Sequence, residues 1–273
     1  MKDVKLIAVD MDHTLLTEKG ELPPNLNQYI KELGELGIDF AIASGRPHYT
    51  LEKIFPDLVN DLIFITDNGG AIFYKGDLIY KSLISVNKYR EIIDFVETNS
   101  DGISIICGLD SAYLFKKHQH HAPIVQRSHS KITFVDDLRT VDCDADKFTT
   151  YFPNKDSVKN YHEAFNPKFG NDLSVTIGDT IWIDIMNKGV DKGQAMRILA
   201  QKLSIDGTQM MAFGDTYNDI QMLQAVKYSY IVANASDDMK QYANYIAESN
   251  DNYGVTKVLE QLIAIKKDNF LVI

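Results

Sequence analysis

The sequence predicts an α/β protein in which a doubly wound parallel sheet is interrupted by an inserted α+β domain. Apolar strands alternate with amphipathic helices at both ends of the chain, the middle has a different texture, and polar side chains follow four of the apolar strands. At 273 residues the chain exceeds the common size of one domain, so we expect two.

The first part of the chain has the alternation of strand and helix that is typical of parallel sheets. The predicted elements are a strand over 5–9, a helix over 26–36, strands over 38–43 and 62–65, and a hairpin over 71–80. The helix ends at Gly37, and Pro47 suits the first turn of another helix after the second strand. These elements predict one part of a parallel sheet with crossover helices.

The middle of the chain predicts two similar units, each a helix followed by two short strands. They are a helix over 87–99 with strands over 103–107 and 112–115, and a helix over 156–165 with strands over 173–177 and 181–186. Between them, the polar and histidine-rich stretch 116–151 predicts only strands over 132–135 and 147–152. This part is therefore an α+β insert.

Parallel α/β texture returns after Asn187. The predicted elements are helices over 192–202 and 219–225, strands over 209–213 and 228–232, and helices over 237–243 and 255–266. The two outer segments then form one Rossmann-like core domain. We predict the core over 1–82 and 189–273 and the inserted α+β cap domain over 83–188.

The composition argues against several classes of protein. The formal net charge is -10 and the pI is about 5.1, which disfavours nucleic acid or an anionic membrane as a partner, because both require a basic surface. Cys107 and Cys143 are the only cysteines and lack the spacing of a zinc site, so we expect a reducing, cytoplasmic location. The sequence has no apolar run long enough for a signal peptide or a membrane span.

Polar side chains stand at the ends of four apolar strands. They are Asp10 and Asp12, Ser44, Asn68, and the group Asp215, Asn218 and Asp219, and Lys192 opens the helix after the insert. The carboxyl ends of parallel strands meet in one crevice, so these groups should converge if the strands are neighbours. Asp is also a common turn residue, and the first pair alone fits an ordinary turn equally well.

Clustered carboxylates need a counter-charge. Each pair within ~4 to 6 Å repels by roughly 1 kcal/mol or more, and Lys192 alone offers too little positive charge. Mg²⁺ prefers carboxylate and carbonyl oxygens together with water and phosphate, so the cluster predicts a Mg²⁺ site and phosphoryl transfer. One aspartate can then act as nucleophile and a second acid as general acid and base, which suits Asp10 and Asp12.

The motifs resemble those of the haloacid dehalogenase superfamily. They are Asp10-Met11-Asp12-x-Thr14, Ser44-Gly45-Arg46, Lys192-Gly193 and Gly214-Asp215-x-x-Asn218-Asp219, in this order along the chain. Each motif alone is weak evidence, and four in order at strand ends are strong evidence. The insert that follows Asn68-Gly69-Gly70 is similar to that of the Cof-type branch, whose phosphatases carry a C2-type cap. The resemblance spans essentially the whole chain.

The resemblance also implies roles for individual residues. Asp10 is implied as nucleophile and metal ligand, and Asp12 as general acid and base that gives its backbone carbonyl to the metal. Asp215 and Asp219 complete the implied metal site. The implied phosphate-binding residues are Met11, Ser44, Gly45, Lys192 and Asn218, and the candidates for substrate contact or support are Thr14, Arg46 and Asn68.

The implied activity is Mg²⁺-dependent hydrolysis of small phosphate monoesters (a sugar phosphate, nucleotide or cofactor phosphate) through an aspartyl-phosphate intermediate. Two alternatives stay open: a sugar phosphomutase of the same superfamily, and a non-catalytic phosphoacceptor module, which also joins acids, Ser or Thr and Lys at strand ends. The length and the insert disfavour the phosphoacceptor module. The expected partner is a small phosphorylated metabolite, and we expect a monomer or weak homo-oligomer.

Histidines raise two further questions. The family usually has Gly where this chain has His13, which indicates a left-handed backbone that His tolerates better than most residues, so activity is expected to survive. A second group of histidines lacks the spacing of metal ligands and predicts a solvated loop of the insert. Its members are His118, His120, His121 and His129.

The insert is expected to set specificity. Its hinges would lie near 83–85 and 187–189, which would let it move as a lid that excludes water from the reaction. Its large aromatic residues, Trp182, Tyr151 and Phe152, predict packing in its core rather than a platform for substrate.

Overall fold

The computed structural model describes residues 1–270, so the last three residues of the second predicted core segment lie outside it. The chain divides into two compact units. The first consists of Met1–Gly45, Phe55–Ile79 and the chain from Asp191 onward, and the second of Arg46–Ile54 and Tyr80–Val190. No helix among the described residues has the length and apolar character needed to cross a bilayer.

Most strands and helices lie where the sequence predicts them, and the helix Ala122–Val125 and the strand Tyr245–Ala247 are the additions. The strands are β1 (Leu6–Asp10), β2 (Asp39–Ala43), β3 (Leu62–Thr66), β4 (Ala71–Tyr74), β5 (Asp77–Lys81), β6 (Ile103–Gly108), β7 (Ala112–Phe115), β8 (Ile132–Val135), β9 (Ala145–Tyr151), β10 (Leu173–Asp179), β11 (Trp182–Asn187), β12 (Met210–Gly214), β13 (Tyr228–Val232) and β14 (Tyr245–Ala247). The helices are α1 (Leu26–Glu35), α2 (His48–Ile54), α3 (Val86–Asn99), α4 (Ala122–Val125), α5 (Ser157–Asn160), α6 (Asn166–Phe169), α7 (Lys192–Leu203), α8 (Ile220–Gln224) and α9 (Gly254–Phe270).

The first unit is built on a sheet with the strand order β14-β13-β12-β1-β2-β3-β4-β5. The pairs from β14 to β3 are parallel, and β4 is antiparallel to β3. The chain runs outward from β1 through β2 and β3 on one side and from β12 through β13 on the other, so the strand order reverses between β1 and β12. A doubly wound sheet forms its crevice at such a point, beyond the carboxyl ends of the strands. The predicted fold class is confirmed.

Local sequence signals explain how the elements of the first unit connect. Leu26, Ile30 and Leu33 are buried at helical spacing on α1. Gly37 then adopts a φ of 71°, and the next residue's N–H bonds back to the Leu33 carbonyl at 2.9 Å, which ends the helix and starts β2. The predicted hairpin turns at Lys75-Gly76, where both residues have positive φ, as a two-residue hairpin turn requires.

The second unit is built on a sheet with the order β10-β11-β9-β6-β7-β8. All its described pairs are antiparallel except β7 with β8. One face packs on α3 and on the helical run from α5 to α6, with Phe148, Phe152 and Phe165 in that core. The other face holds a smaller cluster that includes Ile105, Leu114 and Tyr151. The insert therefore has a core of its own.

Several elements differ from the sequence prediction, among them α4, where no helix was predicted. The segment Arg46–Ile54 groups with the second unit, although the predicted boundaries placed it in the first core segment. Its side chains explain this, because Thr50 Oγ1 donates to the Ser128 carbonyl at 3.1 Å and accepts from the Ser130 N–H at 2.9 Å. The predicted helix over 237–243 is a 3₁₀ turn, and β14 follows it where no strand was predicted. The boundaries at 82/83 and 188/189 stay a prediction.

The close packing of α7 against α8 can be tested at Gly193, with a glycine of α1 as the control. A Cβ at Gly193 would lie 2.6 Å from the backbone of Gln221, whereas a Cβ at Gly34 on α1 would meet nothing within 4 Å. We expect Gly193→Ala to lower the free energy of unfolding by ~1 to 3 kcal/mol because α7 must move away from α8. Gly34→Ala is the matched control and should raise it by ~0.5 to 1 kcal/mol. Urea unfolding of both variants measures this, and equal stability of the two would contradict the packing.

Candidate active site

Asp10 stands at the carboxyl end of the central strand. All five residues of β1 are buried, and Asp10 itself is only 6% exposed. The chain then leaves the strand through a π turn, Met11–Leu15, in which His13 has a φ of 62°. The left-handed backbone predicted at this position is therefore present, and His adopts it in place of Gly.

Lys192 is fully buried and joins two acids from different strand ends. Its Nζ donates to Asp10 Oδ1 at 2.5 Å and to Asp219 Oδ1 at 2.7 Å. Asp191 caps α7 by accepting from the Gln194 N–H at 2.7 Å, which fixes the first turn of the helix that carries Lys192. The start of α7 also touches the loop after β3, since a Cβ at Gly69 would lie 2.5 Å from the Asp191 carbonyl oxygen.

Asp219 is fully buried, and both of its oxygens are occupied. Oδ1 accepts from Lys192, while Oδ2 accepts from the backbone N–H groups of Asp215 at 3.0 Å and Thr216 at 3.2 Å. Gly214 at the end of β12 allows this close approach, because a Cβ there would lie 2.5 Å from the Cβ of Asp219. Asp219 thus ties the loop after β12 to Lys192.

Three carboxylates form one cluster. Asp10, Asp215 and Asp219 each offer an oxygen, and these oxygens lie within 4.8 Å of one another. Thr14 Oγ1 donates to Asp215 Oδ1 at 2.9 Å, so the turn after β1 also braces the acid after β12. The strand ends of β1 and β12 therefore converge, as the sequence predicts.

The cluster carries more negative than positive charge. Burial raises the pKa of Asp10 well above its usual value, Lys192 opposes this, and the charges of Asp219 and Asp215 add to it. Burial likewise raises the pKa of Asp215, with a further contribution from Asp219. Burial lowers the pKa of Lys192, but Asp10 and Asp219 together outweigh it, so the pKa is raised and the amine stays charged. One lysine therefore faces three acids.

These residues fit a hard divalent cation. Three carboxylates in one place supply the oxygen ligands that Mg²⁺ prefers. A cation would offset the burial and the mutual repulsion that raise the pKa of Asp10 and of Asp215. The side chain of Asp12 is not part of the cluster found among residues 1–270. Its predicted metal contact is through its backbone carbonyl, and that contact stays a prediction.

Three of the predicted phosphate-binding residues, Ser44, Gly45 and Asn218, lie around Asn68. Asn218 Nδ2 donates to Asn68 Oδ1 at 3.1 Å, and the Asn68 N–H donates to the Ser44 carbonyl at 2.9 Å. A Cβ at Gly45 would lie 3.3 Å from the Asn68 amide group, so glycine permits this contact. Three strand ends therefore meet here, those of β2, β3 and β12. Asn68 adopts a φ of 55°, which Asn tolerates better than most residues.

The remaining predicted site residues are Met11, Asp12 and Arg46. Met11 is buried and Asp12 is half-buried in the turn after β1. Arg46 groups with the second unit, where its Nη1 donates to the Arg127 carbonyl at 3.2 Å. The individual roles of all these residues stay predictions. The sequence analysis missed the pairing of Lys192 with Asp219, for which the only signal was the presence of both residues in motifs.

The histidines and aromatic residues of the insert differ in part from expectation. His118 and His121 are half-buried and His120 is exposed, but His129 is buried, so the solvated-loop interpretation was wrong for His129. Burial and the nearby charge of Lys147 lower its pKa to about 3, and the ring is therefore neutral.

The expectation for the aromatic residues holds for two of them. Phe152 and Tyr151 are buried as predicted, whereas Trp182 is only half-buried.

Comparison with known proteins adds to this geometry. The chain matches the haloacid dehalogenase-like hydrolase family over residues 7–259. It is 28% identical over 265 residues to a 5-amino-6-(5-phospho-D-ribitylamino)uracil phosphatase of Escherichia coli (strain K12), with 95% of this chain and 96% of that protein covered. A Bacillus subtilis (strain 168) protein named for the same activity is 24% identical over 262 residues, with 96% of each covered. A crystal structure from Streptococcus mutans UA159 has a TM-score of 0.87 at 31% identity, covering 96% of this chain and 99% of that chain.

Fold and comparisons together define the class of this protein, a hydrolase built on a doubly wound sheet. The chain belongs to the haloacid dehalogenase-like hydrolase family, and the relatives it matches along their length are named phosphatases. The predicted family and class of enzyme are therefore confirmed.

The acid cluster should destabilise the metal-free protein. Because the pKa of Asp10 is raised on folding, its carboxyl ionises in the unfolded chain first, and rising pH above its usual pKa of 3.8 favours unfolding. In EDTA, we expect Asp10→Asn to raise the free energy of unfolding at pH 7 by ~1 kcal/mol and to have no effect below about pH 4. In this variant Lys192 still has two hydrogen-bond acceptors, the Asp219 carboxylate and the side-chain amide oxygen at position 10. Denaturant unfolding across pH measures this.

The matched control is Asp61→Asn, which neutralises an exposed acid of the same unit and should change little. A loss of stability in Asp10→Asn at pH 7 would show that the Lys192 pair outweighs the repulsion among the acids.

Proposed function

We propose that this chain is a Mg²⁺-dependent phosphatase that hydrolyses small phosphate monoesters through an aspartyl-phosphate at Asp10. The observation that carries the proposal is the cluster of Asp10, Asp215 and Asp219 with Lys192 buried against it. One buried lysine among three acids leaves negative charge that a divalent cation can neutralise. The cation and Lys192 together can then attract a phosphate group.

The cation would be held by the carboxylates of Asp10 and Asp215, with the Asp12 carbonyl as a third ligand. Bound there, Mg²⁺ would neutralise phosphate oxygens and the negative charge of the acids. Asp219 contributes differently, because both of its oxygens already accept hydrogen bonds. It supports the site by holding Lys192 and the loop of Asp215 in place.

Asp10 is the nucleophile in this proposal. Lys192, 2.5 Å from Asp10 Oδ1, favours the ionised carboxylate that attack requires. The attack forms a bond from the Asp10 oxygen to phosphorus while the ester oxygen–phosphorus bond breaks. Asp12 gives its proton to the departing alkoxide oxygen, and then accepts a proton from the water that attacks the phosphoryl group. Phosphate leaves and the Asp10 carboxylate is restored.

The phosphoryl oxygens need donors in the transition state. Lys192 is one, and the group around Asn68 supplies the others, namely the Ser44 hydroxyl, the Gly45 amide and the Asn218 amide. Thr14 keeps Asp215 in position through its hydroxyl. Ser44 and Gly45 follow β2, Asn218 follows β12 and Lys192 opens α7, so two strand ends and one helix start would orient these donors.

The substrate class is proposed as a small phosphorylated metabolite. The relatives named for hydrolysis of a phosphoribitylamino-uracil support a substrate of that size, and the net charge of -10 gives no support to a nucleic-acid substrate. We further propose that the second unit sets the preference among esters.

Removal of the metal tests the proposal. After EDTA treatment and dialysis, hydrolysis of 4-nitrophenyl phosphate should fall by about 100-fold or more and return with added Mg²⁺, because the cation contributes several kcal/mol of charge stabilisation. Mg²⁺ should also raise the melting temperature of the wild type.

Asp215→Asn tests the proposed ligands in the same experiment. This variant loses one proposed ligand and keeps the Lys192 pair. This variant should lose most of the melting-temperature shift. Full activity of the stripped wild type would refute Mg²⁺ dependence, and an unchanged shift in Asp215→Asn would place the cation elsewhere.

A further inference from the structure

One edge of the eight-stranded sheet is a strand that contains no buried residue. β5 lies last in the strand order, next to β4, and no strand within residues 1–270 pairs with its outer side. Its sequence is Asp77-Leu78-Ile79-Tyr80-Lys81, in which the first two residues and the last are exposed and the other two are half-buried. An exposed edge strand with an apolar centre presents backbone groups with which another strand can pair.

The hairpin determines which backbone groups of β5 face outward. Both residues of the turn 75–76 have positive φ, so β4 and β5 are joined by a two-residue turn, across which the Asp77 N–H donates to β4. Residues that bond to the neighbouring strand alternate with residues that do not. The N–H and C=O groups of Leu78 and Tyr80 therefore face away from β4. A further strand must meet these two residues with its own outward-facing groups.

A second copy of β5 meets this condition in one antiparallel register. In this register Leu78 lies opposite Tyr80 of the second copy, and these residues form the hydrogen-bonded pairs. Ile79 lies opposite Ile79 at the two-fold axis, and Asp77 lies opposite Lys81. These are non-hydrogen-bonded pairs, in which the side chains of opposite residues are closest. The strand is therefore complementary to itself in hydrogen bonding, in apolar contact and in charge.

Charged residues on an edge strand commonly prevent association, so the arrangement of the charges is decisive. Of the edge strands described within residues 1–270, β5 alone carries both an acid and a base, since β8 and β14 contain no charged residue and β10 contains only an acid. Opposite charges at the two ends attract across a two-fold axis, whereas like charges would repel. Lys81 pairs with Asp144 of its own chain, but its side chain is 42% exposed and can approach a second carboxylate.

We propose that β5 is a dimerisation surface at which two copies of this chain pair antiparallel about a two-fold axis. The pairing uses one continuous strand from each copy, so it does not depend on any contact between the two units. A pair of five-residue strands buries less surface than the ~1,200 to 2,000 Å² typical of stable complexes, so the dimer is weak and forms at high protein concentration. Because the two surfaces are identical, the pairing is closed and ends at two copies.

Sedimentation of the full-length protein at increasing concentration tests the proposal. The wild type should shift from monomer to dimer, and added salt should weaken this shift because it screens the ion pairs. Asp77→Lys and Lys81→Asp each place like charges opposite one another, which should raise the Kd of the dimer about tenfold or more. The matched control is Asp57→Lys, which makes the same change of charge at an exposed acid outside β5 and should dimerise as the wild type does.

Mixing the two charge variants is the sharpest test. An equimolar mixture of Asp77→Lys and Lys81→Asp places lysine opposite aspartate at both ends of the paired strands, so a dimer should return that neither variant forms alone. Leu78→Pro removes an outward-facing N–H that the monomer does not use, so it should prevent the dimer and keep the fold. Circular dichroism identifies a variant that fails to fold, and Asp77→Lys leaves the Lys81–Asp144 pair intact.

Three results would overturn the proposal. The first is a wild type that stays monomeric at every concentration. The second is a dimer that Asp77→Lys and Leu78→Pro leave unchanged, because it would form through a different surface. The third is a mixture of the two charge variants that stays monomeric. None of these measurements uses a substrate, so their outcome is independent of the proposed phosphatase reaction.

Discussion

The buried contact of Lys192 with Asp10 and Asp219 is the interaction on which the first unit's site depends. A lysine with no exposed surface is stable as a cation only when carboxylates surround it, and here they come from β1 and from the loop after β12. The same contact sets the position of α7 against two strand ends. The glycines at 69, 193 and 214 permit the close approaches that bring these three pieces of chain together.

The charges of this site are not balanced in the protein alone, as a binding site for a cation and an anion requires. The three acids repel one another, and the one lysine offsets only part of this repulsion. A divalent cation would offset the rest, and a phosphate group could then bind without excess negative charge. Burial, together with the charges of the neighbouring acids, raises the pKa of Asp10 and of Asp215 in the protein alone. The unbalanced charges therefore lower the stability of the first unit at the place where we propose that the reaction occurs.

The fold and the converging acids could be predicted because their signals are local. Four buried residues before Asp10 and five before Asp215 are typical of central strands, and each motif lies at the end of its strand. Contacts between distant segments left no such signal. The Lys192–Asp219 pair, the burial of His129 against Cys107, and the attachment of Arg46–Ile54 to the second unit through Thr50 all depend on tertiary packing. β14 is three residues long, too short for a periodic pattern.

The central claim is that Asp10 becomes phosphorylated during turnover. The most direct measurement uses Asp12→Asn, in which the proposed loss of general base slows hydrolysis of the intermediate, mixed with substrate and Mg²⁺, quenched in acid and reduced with borohydride. Reduction converts an aspartyl-phosphate to homoserine, which mass spectrometry of the N-terminal peptide locates. Homoserine at position 10 that requires both substrate and Mg²⁺ is the predicted result. Turnover without homoserine at position 10, or homoserine at another aspartate, would contradict it.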